Sequence, residues 1–127
     1  MGQQQFLLIV AGIIVVALMV AVSIAIFNDQ ASAANRDALY NDLMHYATKA
    51  QEYVRRPALL GGGFGSFIGF KMDGSGRNAN GSYALNSVTA SDVVIQGVGI
   101  ELGYDAMNPV KIVVDVTPDS IKTTELN

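Results

Sequence analysis

Few side chains in this sequence have the types and spacings that catalysis or metal binding requires. The chain has one histidine and no cysteine, and such a set cannot build a typical zinc site. The histidine, His45, falls in a stretch of helical periodicity, where a packed or solvated side chain is the expected role. Since no nucleophile is paired with a base, we expect no enzyme activity, no cofactor and no metal.

A glycine-rich stretch, Gly61-Gly62-Gly63-Phe64-Gly65, is the second candidate for chemistry. It fails both common phosphate-binding patterns, because no Gly-Lys-Ser/Thr follows and the third glycine of a dinucleotide fingerprint is missing. We therefore interpret it as a flexible connector, and we expect Phe64 to pack under the domain that follows. A third candidate, Asn80-Gly81-Ser82, matches the glycosylation triplet, which allows a glycan on Asn80 if the domain lies outside the cell.

The charge distribution argues against nucleic acid as a partner. The chain carries 8 Lys and Arg against 11 Asp and Glu, for a net charge of −3. A nucleic-acid binder normally has a basic face, whereas the only adjacent basic pair here is Arg55-Arg56.

The rest of the chain is organised around an apolar run from Phe6 to Phe27, FLLIVAGIIVVALMVAVSIAIF. The run holds 22 residues without a charge, and the first charged side chain is Asp29. As a helix it is about 33 Å long, close to the ~30 Å hydrocarbon thickness of a bilayer. Because it is apolar on all faces, it requires lipid or copies of itself around it. The preceding Met-Gly-Gln-Gln-Gln has no basic residue, so a cleavable signal peptide is the less favoured interpretation.

The helical pattern continues beyond the apolar run. No glycine or proline occurs from Ile13 to Arg56, and Pro57 ends the pattern. The spacing predicts one helix from about residue 4 to 56, whose second half is amphipathic. The apolar residues expected to pack this half on a sheet are Leu39, Leu43, Tyr46, Ala50 and Val54.

From Ser66 the apolar period changes from helical to two. Candidate strands, separated by Gly, Pro, Asn and Asp turn signals, are Ser66–Met72, Ser82–Thr89, Asp92–Leu102 and Val110–Thr117, with a possible edge strand Ser120–Glu125. The expected fold is α+β, a long N-terminal helix packed on a small antiparallel sheet of three to five strands. The predicted organisation is an apolar helix (1–27), its amphipathic continuation (28–56), a glycine-rich linker (57–65) and a β domain (66–127).

This architecture resembles that of the type IV pilins and the related pseudopilins of secretion systems. The stretch from Gln5 to Ala11, QFLLIVA, is similar to the family's N-terminal signature, in which an acidic residue precedes Leu-Leu-Ile-Val-type residues. The chain departs from the family in having Gln5 in place of the usual glutamate and no basic leader before Gly2. Either the sequence starts at its mature end, or the protein is a divergent pilin-like protein that is not processed in the usual way. We favour the second interpretation, with Gln5 as a neutral hydrogen-bonding substitute.

The resemblance implies a structural role. Subunits would wait in the inner membrane on the apolar helix and would then be extracted by a pilus assembly machinery, so that their helices bundle into the core of a cell-surface filament. The partners would be copies of the same chain. The residues expected to pack in the bundle are Gln5, Phe6, Ala11, Gly12, Ala17, Ala21 and Ala25. Two alternatives stay open: a pseudopilin-like component of a secretion or assembly machine, and a single-pass membrane-anchored binding module.

Overall fold

The computed structural model describes residues 2–127, which form one long helix and one antiparallel sheet. The elements in chain order are helix α1 (Gly2–Arg55), a short 3-10 helix (Ala58–Leu60), and strands β1 (Arg77–Asn78), β2 (Gly81–Val88), β3 (Val93–Leu102), β4 (Pro109–Val116) and β5 (Ile121–Glu125). The expected α+β architecture is therefore confirmed. The chain divides into two compact units after Ala31.

Helix α1 forms because its 54 residues contain no proline and many strong helix formers. It ends just before Pro57, which has no N–H to continue the helix. The carbonyl groups left open at its C-terminus are then used by the following loop: the N–H of Gly63 donates to Tyr53 at 2.9 Å and the N–H of Gly65 donates to Val54 at 2.8 Å. The glycine-rich segment is thus bonded to the helix end.

The sheet is a meander in which each strand pairs with its neighbours in sequence, in the order β1-β2-β3-β4-β5. All pairings are antiparallel. The register shifts between Leu85 and Ser87 in β2 and between Val98 and Leu102 in β3. The second shift frees part of β3 near its end, where the backbone turns to contact the helix.

The core of the second unit lies between one stripe of α1 and one face of the sheet. In β3 and β4 alternate residues are buried, as expected for a sheet with one covered face. The helix contributes Leu39, Leu43, Ala47, Ala50 and Val54, and the strands contribute Tyr83, Val93, Ile95, Val110, Ile112, Val114 and Val116.

Two expectations for the segment after the helix are wrong. Residues 66–72 form one turn at residues 68–69 within irregular backbone and not a strand, because Gly69 takes a φ of +90° that breaks an extended conformation. Phe67 and Phe70 are still buried, so the apolar pattern marks the core without marking a strand. Phe64 does not pack under the domain: it is 80% exposed.

Candidate assembly surface

The main candidate for function is the apolar surface of the first unit. The side chains of the run from Phe6 to Phe27 are all exposed, and the best 18-residue window has a mean hydropathy of 3.1 with none of its surface buried. The helix is long and apolar enough to cross a membrane. This segment could therefore anchor the protein in a bilayer.

The residues expected in a helix bundle all lie on this exposed surface: Gln5, Phe6, Ala11, Gly12, Ala17, Ala21 and Ala25. Ala17, Ala21 and Ala25 follow one another at steps of four, so they form a ridge of small side chains on one face. The one hydroxyl in the run belongs to Ser23, whose Oγ donates to the carbonyl of Met19 at 2.8 Å. Its polar group is therefore satisfied within the helix, as an apolar environment requires.

The residues expected to pack the helix on the sheet lie at the helix–sheet contact. Leu39, Leu43, Ala50 and Val54 are buried, and Tyr46 is partly buried against the same core. The ring centroid of Tyr46 lies 5.2 Å from that of Tyr83 on β2, within the usual range for aromatic pairs.

Asn35 makes a polar connection that the sequence did not predict. It is the one buried polar residue among residues 2–127, at 7% exposure. Its Nδ2 donates to the carbonyl of Asn80 at 2.8 Å, and its Oδ1 accepts from the N–H groups of Ile100 at 3.1 Å and Glu101 at 3.3 Å. Asn35 thus bonds the helix to the β1–β2 turn and to the irregular end of β3.

A second polar cluster surrounds Asp42. Its Oδ2 accepts hydrogen bonds from Asn78 Nδ2 at 2.9 Å, from Asn80 Nδ2 at 2.9 Å and from Tyr83 Oη. Burial alone would raise the pKa of Asp42, but these hydrogen bonds outweigh it and the pKa lies below its ordinary value. The amide nitrogen of Asn80 that would carry a glycan is therefore already bonded to Asp42, and attachment there would require this contact to break.

A third set of contacts fixes the β3–β4 connection. Ser32 Oγ donates to the carbonyl of Leu102 at 2.8 Å. The guanidinium of Arg36 lies 3.8 Å from the ring centroid of Tyr104, and Arg36 Nη1 donates to the carbonyl of Asn127 at 3.0 Å. These contacts hold the connection and the end of the chain against helix residues 32–36.

The residues that could take part in catalysis or metal binding do not lie close together among residues 2–127. His45 is exposed on α1, and no three His, Asp or Glu side chains among residues 2–127 are grouped as metal ligands would be.

Comparison of the chain with protein-family models, with curated proteins and with solved structures finds no match. The arrangement of one long N-terminal helix over a small antiparallel sheet is compatible with a pilin-like fold.

Proposed function

We propose that this chain is the structural subunit of an extracellular type IV pilus-like filament, which polymerises through its N-terminal apolar helix. The observation that supports this proposal is the exposure of the whole run from Phe6 to Phe27 on helix α1. A surface this apolar requires lipid or copies of the same helix around it.

Transfer of the helix from lipid to a bundle exchanges one apolar environment for another. Such a transfer has little hydrophobic driving force of its own, so close packing of small residues decides whether helices associate. The ridge of Ala17, Ala21 and Ala25 is suited to that packing. The amphipathic half of α1 is already occupied by the sheet, which leaves the apolar half as the surface available for assembly.

A single-pass membrane anchor is the second candidate, and the same helix supports it because its length and composition suit a bilayer. The two functions differ in what surrounds the apolar run in the finished state. In a filament, other helices surround it. In an anchored module, lipid surrounds it permanently.

Electron microscopy of material sheared from the surface of expressing cells separates the two. Filaments whose main protein is this chain, with its N-terminus read by mass spectrometry, are the expected result. Shearing a strain without the gene supplies the control. A chain found only in the membrane fraction, as monomers in detergent, would overturn the filament proposal in favour of the anchor.

A further inference from the structure

The β1–β2 turn contains a chemically labile pair, Asn80-Gly81. Asn80 is the one asparagine of this sequence that is followed by glycine. An asparagine side chain loses its amide when the next backbone nitrogen attacks it, and a following glycine favours the attack because it has no Cβ to hinder the approach. The attack gives a cyclic imide, which water opens to aspartate or isoaspartate. Whether the pair reacts depends on the contacts that hold it.

The sheet requires the glycine of this pair. Gly81 is buried, and a Cβ on it would lie 2.1 Å from the carbonyl oxygen of Val98 on β3. Any other residue would push β2 away from β3, as is typical where glycine marks a close approach of two backbones. The labile pair therefore follows from how the two strands pack together.

Hydrogen bonds hold the Asn80-Gly81 unit on both sides of its reacting atoms. The N–H groups of Asn80 and Gly81 donate to Asn78 Oδ1, at 2.9 and 3.2 Å. Asn80 Nδ2 donates to Asp42 Oδ2 at 2.9 Å, and the backbone carbonyl of Asn80 accepts from Asn35 Nδ2 at 2.8 Å. The nitrogen that would attack and the amide that would leave are both held.

These bonds oppose the reaction at each step. The attacking nitrogen must first lose its proton, which the N–H of Gly81 shares with Asn78 Oδ1, an amide oxygen that is too weak a base to take it. The leaving amide must then give up its bond to Asp42. Burial would raise the pKa of Asp42, but its hydrogen bonds outweigh burial and hold the pKa below its ordinary value. The carboxylate therefore stays charged at neutral pH, and hydrogen bonds to a charged group are the stronger ones.

We propose that Asn80 is a deamidation site that the folded β1–β2 turn protects and that opening of the turn makes reactive. In the open turn the nitrogen of Gly81 gives up its proton to solvent and bonds to Asn80 Cγ. The bond from Cγ to Nδ2 breaks, and ammonia leaves. Water then hydrolyses one of the two imide bonds, which gives aspartate or isoaspartate at position 80. The proposal does not depend on whether the finished chain lies in a filament or in a membrane.

Either product opposes reclosure of the turn. Aspartate at position 80 has no amide hydrogen to donate to Asp42, and it places a second carboxylate beside the first, so the two charges repel. Isoaspartate lengthens the backbone by a methylene group, which disturbs the pairing of Asn78 with Gly81. Deamidation is therefore a permanent chemical record that the turn has opened.

Peptide mass spectrometry of the full chain in detergent measures the reaction, because loss of the amide changes the mass of the peptide that contains Asn80. The chain is incubated at neutral pH, either folded or unfolded in urea, and is sampled over time. We expect deamidation at least about tenfold faster in urea, since the folded chain reacts only through its open fraction. Equal rates would overturn the protection, and no reaction in urea would overturn the site.

Asn78→Ala tests the contact that holds the attacking nitrogen. It removes the acceptor of the Gly81 N–H at an exposed position. We expect the folded variant to deamidate about tenfold faster than wild type for the loss of these hydrogen bonds, and at the wild-type rate in urea. Asn86→Ala, at an exposed position of β2 outside the turn, is the matched control and should react as wild type.

Hydrogen exchange keeps the test decisive if Asn78→Ala loosens the whole domain. The N–H of Gly81 should exchange faster in the variant by about the same factor as deamidation, whereas the N–H of Ile112, buried in β4, should exchange as in wild type. Faster exchange at Gly81 without faster deamidation would overturn the proposal. Equal acceleration at Ile112 would assign the reaction to global unfolding and would overturn the role of the turn.

Discussion

At the scale of single residues, two polar side chains determine where the helix lies on the sheet. An apolar stripe alone favours burial of the helix on the sheet. It does not distinguish one position of the helix from another shifted along its axis, because hydrophobic contacts are not directional. Asn35 and Asp42 supply directional bonds to the β1–β2 turn and to β3. Each bond is satisfied only in one register, so these two residues specify the packing that the apolar residues stabilise.

Asp42 should make the stability of the β domain depend on pH. Its pKa is lowered in the folded state, as the hydrogen bonds from Tyr83, Asn80 and Asn78 outweigh the opposing effect of burial. The stabilisation is therefore fully present above about pH 4 and is lost as the pH falls through the folded-state pKa. Thermal unfolding followed by circular dichroism in detergent should show Asp42→Asn less stable than wild type at pH 7, by about 1 kcal/mol.

The difference between Asp42→Asn and wild type should narrow below about pH 4, because protonation removes the charge that the variant lacks. Asp37→Asn, at an exposed position on the same helix, is the control for loss of one negative charge. An equal difference in the free energy of unfolding between Asp42→Asn and wild type at neutral and acid pH would contradict the role given to the carboxylate.

Replacement of Asn35 tests the other directional contact. Asn35→Leu keeps the side-chain size similar but leaves the N–H groups of Ile100 and Glu101 and the carbonyl of Asn80 without their partner. Unsatisfied buried groups cost about 1–3 kcal/mol each, so the loss of these three bonds should lower the free energy of unfolding in chemical denaturation by about 3 kcal/mol or more. Asn41→Leu, on the exposed side of α1, should change stability by less than about 0.5 kcal/mol. Equal losses in the two variants would show that the bonds do not specify the contact.

At the scale of elements, the long helix and strands β2 to β5 were predictable, whereas the short strand β1 and the irregular segments were not. Steps of three and four in α1 and alternation in β2 to β5 gave bounds within about two residues, because one buried face imposes its period on the sequence. Residues 66–72 were mistaken for a strand, although a glycine at position 69 inside the pattern was the available signal. Asn35 carried no signal at all, since one polar residue on a helix face has no period.

The same contrast applies to the candidate surfaces. The apolar surface of α1 could be recognised from composition alone, because every face of it is apolar. The contacts around the β3–β4 connection could not be recognised, since only the folded chain brings Ser32 and Arg36 of the helix against Leu102, Tyr104 and Asn127. Phe64 illustrates the limit: its apolar character suggested burial, whereas the bonded loop holds it exposed.

The loop after the helix should tolerate alanine at Gly65 but not at Gly63. A Cβ on Gly63 would lie 1.8 Å from the carbonyl oxygen of Ser66, so the backbone would have to move. A Cβ on Gly65 has open space and meets only the strain of a φ of +89°. Thermal unfolding should therefore show a loss of about 1 kcal/mol for Gly65→Ala and of several kcal/mol for Gly63→Ala. The reverse order would contradict the loop geometry.

The small-residue ridge on the first unit should matter for assembly and not for membrane insertion. Leucine is as apolar as lipid, so Ala17→Leu with Ala21→Leu should leave the membrane level of the protein unchanged. In a bundle the added bulk would keep helices apart, and filament yield should fall about tenfold for the loss of ~1–2 kcal/mol of packing. Val15→Leu, on the far side of the helix, is the control. Filaments of the double variant at normal yield would show that this ridge does not face a neighbour.

At the scale of the whole molecule, the sequence separates its charges from its apolar surface. Every charged side chain lies at or beyond Asp29, and every residue from Phe6 to Phe27 is uncharged. The first unit is therefore fitted to an apolar environment and the second to water. Lipid and a bundle of helices both provide an apolar environment for the first unit. A variant that impairs both membrane insertion and bundling must therefore be compared with a variant that impairs bundling alone.

Val16→Lys places a charge at the middle of the apolar run, too far from either end to reach the interface easily. Insertion of a lysine there costs about 2.5–3.5 kcal/mol, and a dry helix bundle would oppose the charge as well. Alkaline extraction of membranes should release more of Val16→Lys than of wild type, and filaments should be absent. Thr48→Lys, at an exposed position of the second unit, should behave as wild type in both measurements.

Because the alanine-to-leucine ridge variant should lose filaments while staying in the membrane, the two variants together separate the need for an apolar environment from the need for a neighbouring helix. A Val16→Lys chain that still forms filaments would show that the apolar run does not form their core.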